Sequence, residues 1–256
     1  MTLILNEIHT LDGFNTTFMV AAADRRLSNK NGSYGATRKK LFPIPYLKGA
    51  ISYFGLAVLI FPDKSELYIS DWLIAFIRNH AHCNDLASFS TNLRDQLSRV
   101  VPSNILKQVH SGFHICGYDS NGIPDFWYFS NIGRMQGYQY TDLRLEYGAP
   151  SSHFLDRDAK EHGWNGYDKS SVSNNVRIYR NGDLRAHVVA WEVLDSILQK
   201  LAKFPDFKIP TTEQLYGEYV KFKFEIIAYF YKKRAKTQII ARPIDVIVMT
   251  KDRYIK

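Results

Sequence analysis

Residues Thr2 to Lys40 read TLILNEIHTLDGFNTTFMVAAADRRLSNKNGSYGATRKK, a run whose symmetry sets distant residues against one another. It opens as a strand-like segment from Thr2 to His9, turns at Asp12-Gly13 and returns through Phe18 to Ala23. Thr2 and Asp24 stand equally far from Gly13, so a hairpin over this segment brings them to the same end. Lys40 lies sixteen residues past Asp24 and opens a further apolar run, Leu41-Phe42-Pro43-Ile44, whose start can return to that end.

A threonine, a carboxylate and a lysine gathered in one place suit nucleophilic catalysis. A threonine hydroxyl is a poor nucleophile and needs a base beside it. An α-amine has a pKa of about 8, so on an N-terminal threonine it supplies that base from the same residue. Lys40 as an ammonium favours the developing alkoxide, and Asp24 holds the ammonium and offsets its burial. The plain alternative is an ordinary ion pair between Asp24 and Lys40 at strand ends.

These residues resemble those of the proteasome β-subunit family of N-terminal nucleophile hydrolases. That family has a threonine at its mature N-terminus, a strand ending in A-A-D-x-R, and a lysine sixteen residues beyond the aspartate before an apolar strand. The matching residues are Thr2, Ala22-Ala23-Asp24-Arg25-Arg26 and Lys40-Leu41-Phe42. The hairpin is longer than in the family pattern, and lengthening both arms evenly keeps its ends together. A second match is the pair of strands Phe113 to Tyr118 and Asp125 to Phe129 around Asp119-Ser120-Asn121-Gly122, with His114 read as structural.

The resemblance implies an N-terminal threonine hydrolase that cleaves amide or peptide bonds through an acyl-enzyme on Thr2, once Met1 is removed. Thr2, Asp24 and Lys40 are then catalytic, Arg26 is accessory, and backbone N–H groups at Phe54 and Gly55 form the oxyanion hole. The first of two expected glycines there is Phe54, a departure expected to narrow the cleft or to close it. The family's supporting serine aligns with Ala149, leaving Ser151 as an accessory candidate, and Thr237 and Ile240 occupy positions where relatives carry an aspartate and a serine. These departures keep open a second reading, a catalytically inert proteasome-like subunit with a structural or regulatory role in an assembly. A homo-oligomer is implied, with a ring as its expected form. No metal or organic cofactor is.

At 256 residues and 45% hydrophobic content, the chain is expected to form one domain, 1–256, with a polar insertion at 156–175. Cys83 and Cys116 are too few for a disulfide framework and lack metal-ligand spacing with the histidines, so both read as reduced thiols. The longest apolar run, Tyr53 to Phe61, is too short to span a membrane, and no signal-like start is present. A cytoplasmic protein without membrane contact is expected. The net charge of +8 includes Lys232-Lys233-Arg234-Ala235-Lys236 at a helix end, where such residues complement the helix dipole. No nucleic-acid-binding motif accompanies it, so no nucleic-acid partner is expected.

Apolar residues at helical spacing predict helices through Ile69, Trp72, Leu73 and Phe76, and through Leu86, Phe89, Leu93 and Leu97. A short strand over Val176 to Tyr179 with a turn at Asn181-Gly182 follows. Two more helices are predicted, one with a stripe of Ala190, Trp191, Leu194, Ile197, Leu198 and Leu201, the other with Leu215, Tyr219, Phe222, Ile226 and Phe230. Thr211 to Gln214 reads as a capping box for the second, and Pro243 to Thr250 as a final strand. This order, under the resemblance, implies an α+β fold: a four-layer αββα sandwich of two antiparallel sheets covered by helices.

Overall fold

A computed structural model describes residues 2–11, 16–28, 34–61, 63–136, 139–152, 175–187 and 193–255. The Asp12-Gly13 turn, Ala190, Trp191 and the 156–175 insertion, apart from Asn175, lie outside the described residues. In chain order the strands are β1 (Leu3–Leu11), β2 (Thr16–Asp24), β3 (Arg26–Ser28), β4 (Tyr34–Thr37), β5 (Leu41–Ile44), β6 (Gly49–Phe54), β7 (Val58–Ile60) and β8 (Glu66–Tyr68). Then come β9 (Gly112–Tyr118), β10 (Pro124–Ser130), β11 (Ile132–Gln136), β12 (Gln139–Leu143), β13 (Ser151–Ser152), β14 (Asn175–Gly182), β15 (Ile244–Thr250) and β16 (Tyr254–Ile255). The helices are α1 (Ile69–Asn79), α2 (Leu86–Val100), α3 (Ser103–Leu106), α4 (Leu184–His187), α5 (Leu194–Leu201) and α6 (Glu213–Arg234).

Two five-stranded antiparallel sheets carry the fold, one ordered β14-β1-β2-β15-β16 and the other β13-β10-β9-β6-β5. Side chains alternate between the two faces of a strand, and here both faces are buried. In β1 and β2, Leu3, Leu5, Phe18, Val20 and Ala22 join a core with Val220, Phe224 and Ile227 of α6. Their neighbours Ile4, Ile8, Met19, Ala21 and Ala23 join Ala50, Phe54 and Cys116 of the other sheet. On that sheet's far side Ile51, Tyr53, Phe113 and Ile115 pack with Leu73 and Phe76 of α1 and with Phe89, Leu93 and Leu97 of α2. Burying each Val, Leu, Ile, Phe or Met side chain contributes roughly 1.5–3 kcal/mol, which is why these strands read as continuous apolar runs. Among the described residues, no helix is long and apolar enough to cross a membrane.

The helix α6 turns a different face to its sheet than its spacing predicts. Gly217, Val220, Lys223, Phe224, Ile227 and Ala228 are buried, whereas Leu215, Phe222 and Phe230 are 44%, 51% and 48% exposed. Apolar residues occur on both faces, so periodicity cannot choose between them. The choice is made by the partner strand: Lys223 Nζ meets Glu7 Oε1 of β1 at 3.3 Å. The helix is capped by Thr212, whose hydroxyl accepts from Leu215 N at 3.3 Å, one residue later than the capping-box pattern suggests. Likewise Asn181 and Gly182 end the strand β14 and do not form a separate turn, with Gly182 opposite Leu3 and Asn175 opposite Thr10.

Candidate active site

The β1–β2 register sets Ile4 against Ala23, so the residue before β1 arrives at the end of β2. That residue is Thr2, and the end of β2 is Asp24. Lys40 immediately precedes β5 of the second sheet, and its carbonyl accepts from Tyr53 N of β6 at 3.2 Å. The strand ends of both sheets thereby converge on one point. Thr2, Asp24 and Lys40 are all buried there.

Their hydrogen bonds form a closed set. The Asp24 carboxylate accepts from the Thr2 hydroxyl, from Leu3 N at 2.9 Å, from Arg26 N at 3.0 Å and from Lys40 Nζ at 3.3 Å. The Lys40 ammonium donates to Thr2 Oγ1, to Asp24 Oδ1 and to the carbonyl of Arg26 at 2.5 Å, which occupies its three N–H groups. A buried charge is tolerated when it is paired and fully hydrogen-bonded, and this one is. Burial lowers the Lys40 pKa, attraction to Asp24 works against that, and the nearby Arg26 cation adds to the lowering. The threonine oxygen therefore sits between a carboxylate that takes its proton in hydrogen bonding and a cation that favours its ionised form.

A small pocket of about 30 Å³ adjoins this set and is lined by Thr2, Arg26, Leu27, Ser28, Lys40, Tyr53, Phe54, Gly55 and Ala57. Gly55 adopts φ +86°, and a Cβ there would lie 1.7 Å from the carbonyl oxygen of His110, so the turn after β6 admits only glycine. The Phe54 ring is buried with the residues that join the two sheets, 6.2 Å from His110 and 6.0 Å from Tyr140. Phe54 and Gly55 thus both border the pocket beside Thr2. Burial pushes the pKa of His110 down to about 4, and its Nε2 has no hydrogen-bond partner among the described residues.

Ser151 is not brought to Thr2. It lies on β13, opposite Tyr128, at the edge of the second sheet that is four strand spacings from β5, about 19 Å away. The segment that does reach Thr2 is the end of β14. Asp183 N donates to the Thr2 carbonyl at 2.8 Å, and Gly182, at φ +102°, passes so close that a Cβ would lie 1.9 Å from that oxygen. The Asp183 carboxylate is held by Arg185 at 2.9 and 2.7 Å and by the Tyr231 hydroxyl at 2.5 Å. Tyr140 fixes the preceding residues, donating to Asn181 Oδ1 at 3.0 Å and accepting from Gly182 N at 3.1 Å. In the sequence, Asn181-Gly182 marked a turn, but nothing local tied it to Thr2. Ile240 is buried in the core beneath α6. His114 is buried between the sheets, with Nδ1 2.8 Å from Asn6 Oδ1 and Nε2 2.8 Å from Asn181 Nδ2. Among the described residues no group of three or more histidine, cysteine or acidic side chains is placed to hold a metal ion.

A scan against protein-family models and a search of curated proteins found no match to the sequence. Among solved structures the chain is similar to the Anbu (Gly-1) mutant from Hyphomicrobium sp. strain MC1, with a TM-score of 0.50 and 11% identity over 100% of this chain and 85% of that one. It is also similar to Anbu, an ancestral beta-subunit, from Yersinia bercovieri, with a TM-score of 0.48 and 9% identity over 98% of this chain and 85% of that one. Eukaryotic HslV from Trypanosoma brucei gives a TM-score of 0.43 and 11% identity over 96% of this chain and 99% of that one. The first of these likenesses identifies a proteasome-related fold. At such identities it speaks of the fold alone.

Proposed function

We propose that the chain is an N-terminal threonine hydrolase acting on peptide or amide bonds. The observation that carries this reading is the buried contact of Thr2 Oγ1 with both Lys40 Nζ and Asp24 Oδ1. With Met1 removed, the Thr2 oxygen attacks the substrate carbonyl carbon while the α-amine of the same residue takes the hydroxyl proton. The tetrahedral intermediate places its oxyanion against backbone donors at Phe54 and Gly55, and Lys40 steadies the developing charge. The C–N bond then breaks, the α-amine hands its proton to the departing amine, and water hydrolyses the ester left on Thr2. In this reading the two sheets and the helices α1, α2 and α6 outside them are the layers of an αββα sandwich, which the three separate cores support. The chain works as a cytoplasmic homo-oligomer in the same reading. Loss of hydrolysis in Thr2→Ala tests it, and retained hydrolysis in that variant sinks it.

A second reading, an inert proteasome-like subunit that builds or regulates an assembly, is favoured by the closure of the site. Thr2 is 3% exposed and the pocket beside it is small. Mass spectrometry of protein recovered from its native cell separates the two. Intact Met1 favours the inert subunit, and a free Thr2 amine favours the enzyme.

A further inference from the structure

The end of β14 that lies over Thr2 is held by a side chain from outside both main sheets. Tyr140 belongs to β12, which pairs with β11 as a separate two-stranded arm and whose residues Gln139, Thr141 and Asp142 are exposed. Its hydroxyl accepts from Gly182 N at 3.1 Å and donates to Asn181 Oδ1 at 3.0 Å. The next main-chain N–H, that of Asp183, donates to the Thr2 carbonyl at 2.8 Å. Burial raises the Tyr140 pKa above its ordinary value, so the hydroxyl keeps the proton that lets it donate and accept at once.

The direction of that hydroxyl is set by a chain of side chains running between the sheets. Asn6 Nδ2 donates to Cys116 Sγ at 3.0 Å, which turns Asn6 Oδ1 to His114 Nδ1 at 2.8 Å. His114 therefore carries its proton on Nδ1 and offers Nε2 as an acceptor to Asn181 Nδ2 at 2.8 Å. Asn181 is left with its oxygen towards Tyr140, so the tyrosine gives its proton to Asn181 and keeps a lone pair for Gly182 N. The ring of the same tyrosine lies 6.0 Å from the Phe54 ring and 5.0 Å from that of His110. His110 in turn backs the turn at Gly55, where a Cβ would meet its carbonyl oxygen. Tyr140 thus grips the segment over Thr2 with its hydroxyl and packs with its ring against the residues of the Phe54–Gly55 turn. We propose that Tyr140 is a positioning residue for the hydrolysis, setting the Thr2 main chain against the backbone donors at Phe54 and Gly55. This rests on the hydrolase reading above and adds to its site a residue that acts through its neighbours.

The test uses the full chain with Met1 removed, a panel of capped peptidyl coumarin amides and a neutral threonine-directed lactone. Each kcat is expressed per Thr2 labelled at completion by the lactone, so a partly unfolded preparation still answers. Tyr140→Phe keeps the ring and loses the hydroxyl, and is expected to lower kcat about 10- to 100-fold while KM stays within about threefold. Asn181→Ala is expected to lower kcat about tenfold in the parent chain and by about twofold or less when added to Tyr140→Phe, because without the hydroxyl it has nothing to orient. A purely structural role lowers the labelled fraction and leaves kcat per site alone. Where the panel holds no substrate, the rate of lactone labelling is read in place of kcat with the same ratios expected. An unchanged rate in Tyr140→Phe, a loss confined to KM, or the full Asn181→Ala loss in the Tyr140→Phe background overturns the proposal. In each of those cases the hydrolase reading survives, because the parent chain still reacts through Thr2. If the parent chain cuts no amide and the lactone fails to label Thr2, the hydrolase reading falls and this one falls with it.

Discussion

Two buried lysine–carboxylate pairs flank the first sheet, Lys40 with Asp24 and Lys223 with Glu7, each at 3.3 Å and each with its lysine 2% exposed. What surrounds them differs. Lys40 touches a threonine hydroxyl and lines a pocket. Lys223 is shared with Asp195 at 3.1 Å and faces the Tyr219 ring at 4.8 Å, on the buried face of α6. A buried ion pair is therefore no sign of chemistry by itself. What distinguishes the first is a threonine hydroxyl within reach of the cation and an opening beside both.

The largest expected effect breaks the comparison outright. Thr2→Ala is expected to lower amide hydrolysis on the order of 10³-fold or more while leaving both ion pairs in place, as measured with the coumarin amides. Next come the lysines. Lys40→Met and Lys223→Met are each expected to cost about 3–5 kcal/mol in chemical denaturation, because each removes the cation that neutralises a buried carboxylate. Only Lys40→Met is expected to stop lactone labelling of Thr2, measured where both variants are folded. Equal labelling of the two variants erases the distinction drawn here.

Histidines sharpen the contrast. His9, on the Lys223 side, has Glu7 Oε2 at 2.9 Å on its Nε2, whereas the Nε2 of His110, beside Gly55, has no partner among the described residues, and burial lowers the His110 pKa from 6.5 to about 4. A depressed native value means that below pH 6.5 the unfolded chain binds the proton first. Stability from His110 is thus present above 6.5 and lost as the pH falls towards 4, by on the order of 3 kcal/mol. His110→Phe is expected to flatten that part of the stability–pH curve. The smallest effect concerns the outer face of α6, the helix that carries Lys223. Phe222→Ser is expected to change stability by about 0.5 kcal/mol or less, because its ring already faces solvent. A cost of several kcal/mol by thermal melting contradicts the burial pattern of that helix.

The site was legible in the sequence where its geometry is local. The spacing about Asp12-Gly13 placed Thr2 and Asp24 at one hairpin end, where the β1–β2 register, Ile4 against Ala23, puts them, and the glycine after Phe54 marked the turn with φ +86°. It was illegible where closure comes from far along the chain. Asp183, more than 180 residues from Thr2, binds the Thr2 carbonyl through its own N–H, a contact made by main-chain atoms that any residue type possesses. Ser151 looked suitable because serine is the right residue type, but its strand pairs with β10 and stays there. The direction of the Phe54 ring was equally hidden, since strand alternation fixes sides only once the sheet's faces are known.

The amino-acid order alone determined the main sheet strands, the apolar stripes of α1 and α2 and the three candidate site residues, because these depend on spacings of a few residues and on functional groups. The tertiary structure decided which face of α6 met the sheet, that β14 closed over Thr2, and that one lysine gained a hydroxyl while its counterpart gained a second carboxylate. Packing two sheets face to face fixes distances between residues far apart in the chain, and no local pattern carries that information.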